Sequence, residues 1–147
     1  RKVFDINSKE VLDEMLPTGK TLGETLLTPT KIYVKPILEL ISKINVKAIS
    51  HITGGGFNEN IPRSLPDGFT AKITKHSYEV PYIFKHLQEV GGISEHDMYN
   101  TFNMGIGMTV VVDKDDADEA VSILRSAGVE SFCIGTIIKG DEGIVIE

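Results

Sequence analysis

Three consecutive glycines stand directly behind a short apolar run, within residues 51–63. Glycines expose bare backbone N–H groups and tolerate positive φ, so such a segment can fold closely around an anion. A simple connector has little reason to use three glycines, because each is costly in conformational entropy. The sequence therefore predicts an anion- or phosphate-binding loop, with a tight turn between a strand and a helix as the alternative.

Polar residues flank these glycines on both sides. Arg63 could make a bidentate contact with a phosphate, or it could pair with a surface carboxylate. His51 ends the apolar run, where it is either a core histidine with satisfied hydrogen bonds or an active-site group. The candidate binding residues of this segment are Thr53, Gly54, Gly55, Gly56, Asn60 and Arg63.

A second polar segment, residues 98–108, leads into a strand pattern that contains Gly105. Asn103 can both donate and accept hydrogen bonds, and a glycine in a strand lets a ligand approach the backbone closely. These properties suit the wall of a cleft. The alternative is an ordinary turn into a buried strand.

Other motifs lack residues that their chemistry needs. Gly19 is followed by Lys and Thr as in a Walker A loop, but the first glycine of that motif is replaced by Glu14. A run of aspartates from Asp113 lacks the glycine and the final glutamate of a calcium loop. The three histidines His76, His86 and His96 show no metal-ligand spacing and are expected at the surface or at helix caps. No metal site is predicted.

Composition restricts the classes of partner. The 147 residues carry a net charge of −6 and no cluster of basic and aromatic residues, so no nucleic acid is expected. No apolar run approaches the ~18 residues that span a bilayer, and no signal peptide is visible, so a cytoplasmic protein without a membrane partner is expected. Cys133 is the only cysteine, lies in an apolar run, and is predicted to be a buried small hydrophobe.

Strand and helix patterns alternate along the chain. This alternation predicts a single α/β (α+β) domain, with a mixed β-sheet covered mainly on one face by helices. Periodicity predicts strands over 46–52, 69–74, 104–112, 132–138 and 143–146, and helices within 1–16 and 21–27, over 33–44, 82–90 and 113–127, and beginning near 57 and 94.

Three sequence blocks carry a family resemblance: residues 27–34 (Leu-Thr-Pro-Thr-Lys-Ile-Tyr-Val), 51–63 and 98–108. They closely resemble the C-terminal half of the phosphoribosylformylglycinamidine cyclo-ligases, also called aminoimidazole ribonucleotide (AIR) synthetases. The resemblance runs in order over essentially all 147 residues. It implies that residues 1–147 form one AIR synthase-related C-terminal domain, and that an N-terminal ATP-binding and dimerisation domain is absent.

The resemblance also implies an activity. The family closes the imidazole ring of formylglycinamidine ribonucleotide to give aminoimidazole ribonucleotide in de novo purine biosynthesis. The reaction uses ATP and Mg²⁺, which the N-terminal half would largely hold, so neither is expected to bind this domain alone. The implied partners are the protein's own N-terminal domain, a second copy in a homodimer, and a small ribonucleotide substrate. The fragment alone is predicted to be inactive.

On this resemblance the glycine segment faces substrate or phosphate, Asn103 lies opposite it, and His51 is a further polar participant. Glu24 and Glu59 are candidate bases only because they lie near these motifs. Two alternatives remain: an isolated scaffold or anion-binding module, or the corresponding domain of another superfamily member such as formylglycinamidine ribonucleotide synthetase.

Overall fold

The computed structural model describes residues 2–147. Short 3₁₀ turns cover Pro62–Ser64 and Lys114–Asp116. The seven α-helices and five strands of these residues are, in chain order, α1 (Lys9–Leu12), α2 (Leu22–Leu26), α3 (Val34–Lys43), β1 (Ala48–His51), α4 (Gly56–Asn60), β2 (Phe69–Ile73), α5 (Tyr82–Gly91), α6 (Glu95–Thr101), β3 (Met108–Val111), α7 (Ala117–Ser126), β4 (Gly135–Lys139) and β5 (Ile144–Ile146).

The strands form two sheets instead of one. In the first, β1 pairs with β3 in antiparallel register, so that Ser50 lies opposite Thr109 and His51 opposite Met108. In the second, β2 is the central strand, antiparallel to β4 and parallel to β5. This three-stranded sheet confirms the predicted mixed sheet, and the separate β1–β3 pair is a feature that periodicity did not indicate.

The predicted strand over 104–112 is four residues too long at its start. Met104 and Gly105 have φ values of 51° and 99°, in the left-handed region that a strand cannot include. The Oδ1 atom of Asn103 accepts a hydrogen bond of 3.0 Å from the Gly105 N–H. Asparagine side chains compete in this way with sheet hydrogen bonding, so a turn replaces the first part of the strand.

The main core lies between the three-stranded sheet and the short helices α4 and α6. Phe57 of α4 and Tyr99 of α6 are both buried, with ring centroids 5.4 Å apart in an edge-on arrangement. A second cluster packs α3 against α7 through Leu40 and Ile123, and a third surrounds Leu22 near the N-terminus. The main cluster fixes the position of α4, and therefore of the glycine segment that precedes it.

Two predictions about single residues are wrong. Cys133 is exposed, because β4 begins only at Gly135 and the predicted strand over 132–138 has no sheet partner at its start. His86 is neither at the surface nor at a helix cap; it is half-buried in α5, stacked between Phe4 and Tyr82 with centroid distances of 5.3 and 5.7 Å. His76 and His96 are exposed, as predicted.

Within residues 2–147, every helix is too short or too polar to cross a bilayer.

Candidate functional site

The glycine segment forms a sharp turn between β1 and α4. Gly55 and Gly56 have φ values of 96° and 53°, which side-chain-bearing residues rarely adopt. A Cβ atom on Gly55 would lie 2.7 Å from the Glu59 carboxylate, and one on Gly56 would collide with the backbone carbonyl of Tyr99. The strand-to-helix turn named as the alternative is therefore present, and the fold itself requires these two glycines.

Asn60 holds this turn from inside. Its Nδ2 atom donates hydrogen bonds to the carbonyl oxygens of Gly54, at 3.2 Å, and of Gly56, at 2.7 Å. Its Oδ1 atom accepts a longer bond of 3.5 Å from the Thr53 hydroxyl, and the Ser50 hydroxyl donates to its backbone carbonyl at 2.6 Å. Asn60 is buried, and both amide hydrogens are used within the loop. The structure thus places Asn60 behind the loop, where it sets the loop's shape.

The outer side of the loop carries free donors. Among residues 2–147, no acceptor takes a hydrogen bond from the N–H groups of Gly54 or Gly55. Thr53 and Gly54 are exposed, and nothing lies within 4 Å of the position that a Gly54 Cβ would occupy. Successive unpaired N–H groups of this kind make a concave surface that favours anions.

Arg63 follows α4 and pairs with Glu59. Its Nη2 atom lies 2.6 Å from Glu59 Oε2, and both side chains are at least half exposed. The surface ion pair named as an alternative is therefore present. An exposed pair of this kind contributes little to stability and can open at small cost, so the guanidinium remains available to a nearby anion.

The structure brings the two predicted polar segments together. Thr53 and Asn103 line the same cavity, of ≈ 230 Å³, together with Phe84, Thr101 and Phe102. Because the Asn103 side chain accepts from Gly105 through Oδ1, its Nδ2 group is left as a donor. The lining of the cavity thus combines two hydroxyls, one amide and two aromatic rings.

His51 lies at the end of β1 and is exposed. Its ring stands 6.1 Å from that of Tyr33, edge-on, and the Tyr33 hydroxyl packs against Gly107. Burial raises the pKa of Tyr33. His51 and Thr53 are separated by one residue that points into the core, Ile52, so His51 borders the loop without lining the cavity.

Sequence reasoning missed Tyr33 as a neighbour of this region. A signal for it was present in the sequence, since Tyr33 lies in the block 27–34 and Gly107 in the block 98–108. The Tyr33 hydroxyl occupies the space that a side chain at position 107 would need.

The two candidate bases are already engaged. The Glu24 carboxylate accepts from the Thr21 N–H at 2.8 Å in a capping box at the start of α2, and Glu59 pairs with Arg63. Within residues 2–147, no three His, Cys, Asp or Glu side chains converge so as to hold a metal ion. The described residues can therefore bind and orient an anionic or polar molecule, but they do not form a magnesium site.

Comparison with known proteins identifies the family to which this chain is similar. The sequence model described as "AIR synthase related protein, C-terminal domain" matches residues 2–147. A protein of Caldicellulosiruptor bescii is 50% identical over 149 residues, covering 100% of this chain and 44% of its own length. Another, of Lachnoclostridium phytofermentans, is 52% identical and is covered over 43% of its length. Both are named phosphoribosylformylglycinamidine cyclo-ligase. The chain thus spans less than half the length of these curated relatives.

A solved structure supports the fold independently. The crystal structure of HypE from E. coli matches with a TM-score of 0.61 at 20% identity, over 85% of this chain and 40% of HypE. At that identity the match shows a shared fold alone.

Proposed function

The chain belongs to the AIR synthase related family as its C-terminal domain, and from this we propose that it forms one wall of the active site of an ATP-dependent cyclo-ligase. The reaction is the closure of formylglycinamidine ribonucleotide to aminoimidazole ribonucleotide in purine biosynthesis. Both relatives carry the name of the enzyme that catalyses this reaction, and about half of their residues are identical to those of this chain over its whole length. These two facts support the activity.

One observation carries the assignment of the site. Thr53, at the start of the glycine segment, and Asn103, in the turn after α6, lie far apart in the sequence and line one cavity. In the proposed role, the N–H groups of Gly54 and Gly55 bind the phosphate of the ribonucleotide, and the Thr53 hydroxyl turns away from its 3.5 Å contact with Asn60 Oδ1 to donate to it as well. Asn103 donates from the opposite side, and Arg63 adds a positive charge nearby.

These residues act by positioning. Fixed donors that hold the phosphate place the rest of the substrate in a defined orientation, and such orientation can lower the barrier to an intramolecular attack. Gly56 and Asn60 contribute indirectly, since they hold the loop in the shape that presents its donors. His51 borders this wall as an additional polar group.

ATP and Mg²⁺ belong to the remainder of the protein in this proposal. The described residues offer no cluster of metal-binding side chains, so no step of the reaction is assigned to a metal held by them. ATP supplies the phosphoryl group that activates the formyl oxygen, and this chain supplies the substrate's phosphate site. A cytoplasmic enzyme is expected, in keeping with a small-molecule substrate.

An apolar face of the chain supports an upstream domain as its partner. Val34, Leu38 and Ile41 lie on one stripe of α3 and are 61%, 62% and 48% exposed. Leu27 and Ile32, just before this helix, are more than four-fifths exposed. Contiguous exposed apolar residues mark interaction surfaces. The relatives carry more than half of their length outside the matched part, and in the proposed full-length homodimer that part covers this face.

A chimaera tests the proposed function. The matched C-terminal part of the C. bescii relative is replaced with residues 1–147, and the formation of aminoimidazole ribonucleotide from substrate and ATP is measured. We expect ATP-dependent turnover by the chimaera and none by the isolated chain. The parent enzyme is the positive control.

The opposite results are equally informative. A folded chimaera that binds ATP but forms no product, beside an active parent, would contradict the proposed function. Turnover by residues 1–147 alone would contradict the assignment of ATP chemistry to the remainder of the protein.

A further inference from the structure

A second cavity, of ≈ 270 Å³, lies on the other side of the turn that carries Asn103. Its walls come from the segment after β2, from α5 and from α6. None of its lining residues lines the cavity between Thr53 and Asn103. The proposed cyclo-ligase site makes no use of it, so any ligand here would be additional.

Four polar side chains form one part of the lining of this cavity: the partly exposed Lys75–Glu95 pair, the half-buried Tyr78 and the buried Tyr99. Lys75 Nζ lies 2.7 Å from Glu95 Oε2. Tyr99 lies one turn of α6 after Glu95 and lines the same cavity. Burial raises the pKa of Tyr99, the Glu95 charge raises it further and the Lys75 charge lowers it. The Tyr78 hydroxyl is buried beside it, and burial, followed by the Tyr99 phenol, raises the pKa of Tyr78. Both phenols are therefore protonated at neutral pH and can donate hydrogen bonds.

The backbone around this cavity is unusual. Within residues 2–147, two non-glycine residues have positive φ, His76 at 61° and Met104 at 51°, and both line the cavity. Such conformations are disfavoured and concentrate at ligand-binding and functional sites. Here both lie in the lining of one cavity.

Two lysines and two glutamates line the cavity, and one lysine and one glutamate of these form an ion pair. Lys75 and Glu95 neutralise each other, whereas Lys85 and Glu79 are exposed and have no ion-pair partner among residues 2–147. The cavity thus offers one uncompensated cation and one uncompensated anion. A ligand with one charge of each sign satisfies both, whereas a simple anion would leave Glu79 unfavourably near it.

Size restricts the ligand further. Sites for drug-sized ligands begin at about 300 Å³, so a ligand that this cavity of ≈ 270 Å³ holds entirely is smaller than a nucleotide. We propose that it binds a small zwitterion of the α-amino acid class, with the carboxylate toward Lys85 and the Tyr99 hydroxyl and the ammonium toward Glu79. This proposal is independent of the cyclo-ligase assignment.

Amide chemical shifts of the ¹⁵N-labelled chain test this proposal. L-Serine is the probe, and acetate and ethylammonium each present one half of its charges. We expect saturable shifts in residues 75–80 and 85–88 with serine, and binding at least about tenfold weaker for each half, because each lacks one charged hydrogen bond. Gly54 and Gly55 report separately on the glycine loop.

Substitutions complete the test. Tyr99→Phe removes one hydrogen bond to a charged group and is expected to weaken serine binding about tenfold. Tyr82→Phe, in α5 but outside the cavity lining, is the matched control and should bind like the unsubstituted chain. If Tyr99→Phe unfolds the chain, Lys85→Gln and Glu79→Gln test the exposed charges, and each should weaken binding several-fold.

Three results would overturn the proposal: no saturable shift with serine, acetate binding as tightly as serine, or unchanged serine affinity in Lys85→Gln and Glu79→Gln.

Discussion

The backbone carbonyl of Tyr99 packs against the Cα atom of Gly56, and this contact joins the end region of α6 to the start of α4. The two polar segments singled out in the sequence are therefore one structural unit. The shape of the glycine segment therefore depends on where α6 ends. The turn that follows α6 brings Asn103 to the cavity that Thr53 also lines.

Gly56→Ala should strongly destabilise the chain. Alanine would have to adopt a φ of 53° and would place its Cβ against the Tyr99 carbonyl. The left-handed backbone conformation and the overpacking together are expected to lower the free energy of unfolding by about 3 kcal/mol. Urea unfolding followed by circular dichroism measures this change.

Gly54→Ala is the matched control in the same loop. Its φ is not in the left-handed region and its Cβ site is open, so the free energy of unfolding should change by less than about 0.5 kcal/mol. Equal destabilisation by the two substitutions would show that the contact with Tyr99 does not set the loop geometry.

Asn60→Ala should loosen the loop. It removes the donors for the Gly54 and Gly56 carbonyls; the bond to Gly56 is buried, and leaving a buried acceptor unpaired costs about 1–3 kcal/mol. We expect faster amide hydrogen exchange in α4 and lower stability. Asn58→Ala, two residues earlier in α4 and with no side-chain hydrogen bond among residues 2–147, is the control and should have little effect. Similar exchange rates in both variants would argue against the role assigned to Asn60.

Glu59→Gln should strengthen phosphate binding. Glu59 neutralises Arg63 beside the loop, and both are exposed, so its removal should cost less than about 1 kcal/mol of stability. The freed guanidinium should lower the Kd for ribose 5-phosphate several-fold. Glu39→Gln breaks the similar i,i+4 pair with Lys43 on α3 and should leave this Kd unchanged. An unchanged Kd in Glu59→Gln would show that Arg63 does not contribute to phosphate binding.

The buried tyrosines predict a loss of stability at high pH. Burial raises the pKa values of Tyr33, Tyr78 and Tyr99 in the folded chain. The folded state therefore retains protons that the unfolded state releases above about pH 10, and the free energy of unfolding falls as the pH rises through that range. The raised pKa of Lys75, caused first by its hydrogen bond to Glu95, acts in the same direction.

Tyr78→Phe isolates the largest of these effects. Urea unfolding between about pH 9 and pH 11 should show a shallower fall in the variant than in the unsubstituted chain. An identical slope in both proteins would mean that the Tyr78 environment does not favour the neutral phenol.

The sequence was sufficient where local periodicity governs structure. The apolar spacing over 33–44 predicts α3, and the structure has it at Val34–Lys43. A helix was predicted to begin near residue 94, and the Ser94 hydroxyl accepts a hydrogen bond from the Asp97 N–H at 3.1 Å at the start of α6. Both features depend on residues within a few positions of one another.

Features that depend on distant contacts were not predictable in this way. The division into two sheets depends on which strands pair. The strand β3 begins at Met108 instead of residue 104 because the Asn103 side chain accepts a hydrogen bond from Gly105 and forms a turn there. The role of Asn60 behind the loop follows from the burial of α4 under the main core. The cavity between Lys75 and Tyr99 has no local signal, because its residues come from four separate segments.

The most direct test of the central claim is a titration of the ¹⁵N-labelled chain with ribose 5-phosphate. We expect saturable shifts of the Gly54 and Gly55 amides, smaller shifts at Asn103, and a weaker response in Arg63→Gln. If these amides do not move while the chain remains folded, the glycine loop of this chain does not by itself bind phosphate, and the proposed phosphate site is wrong.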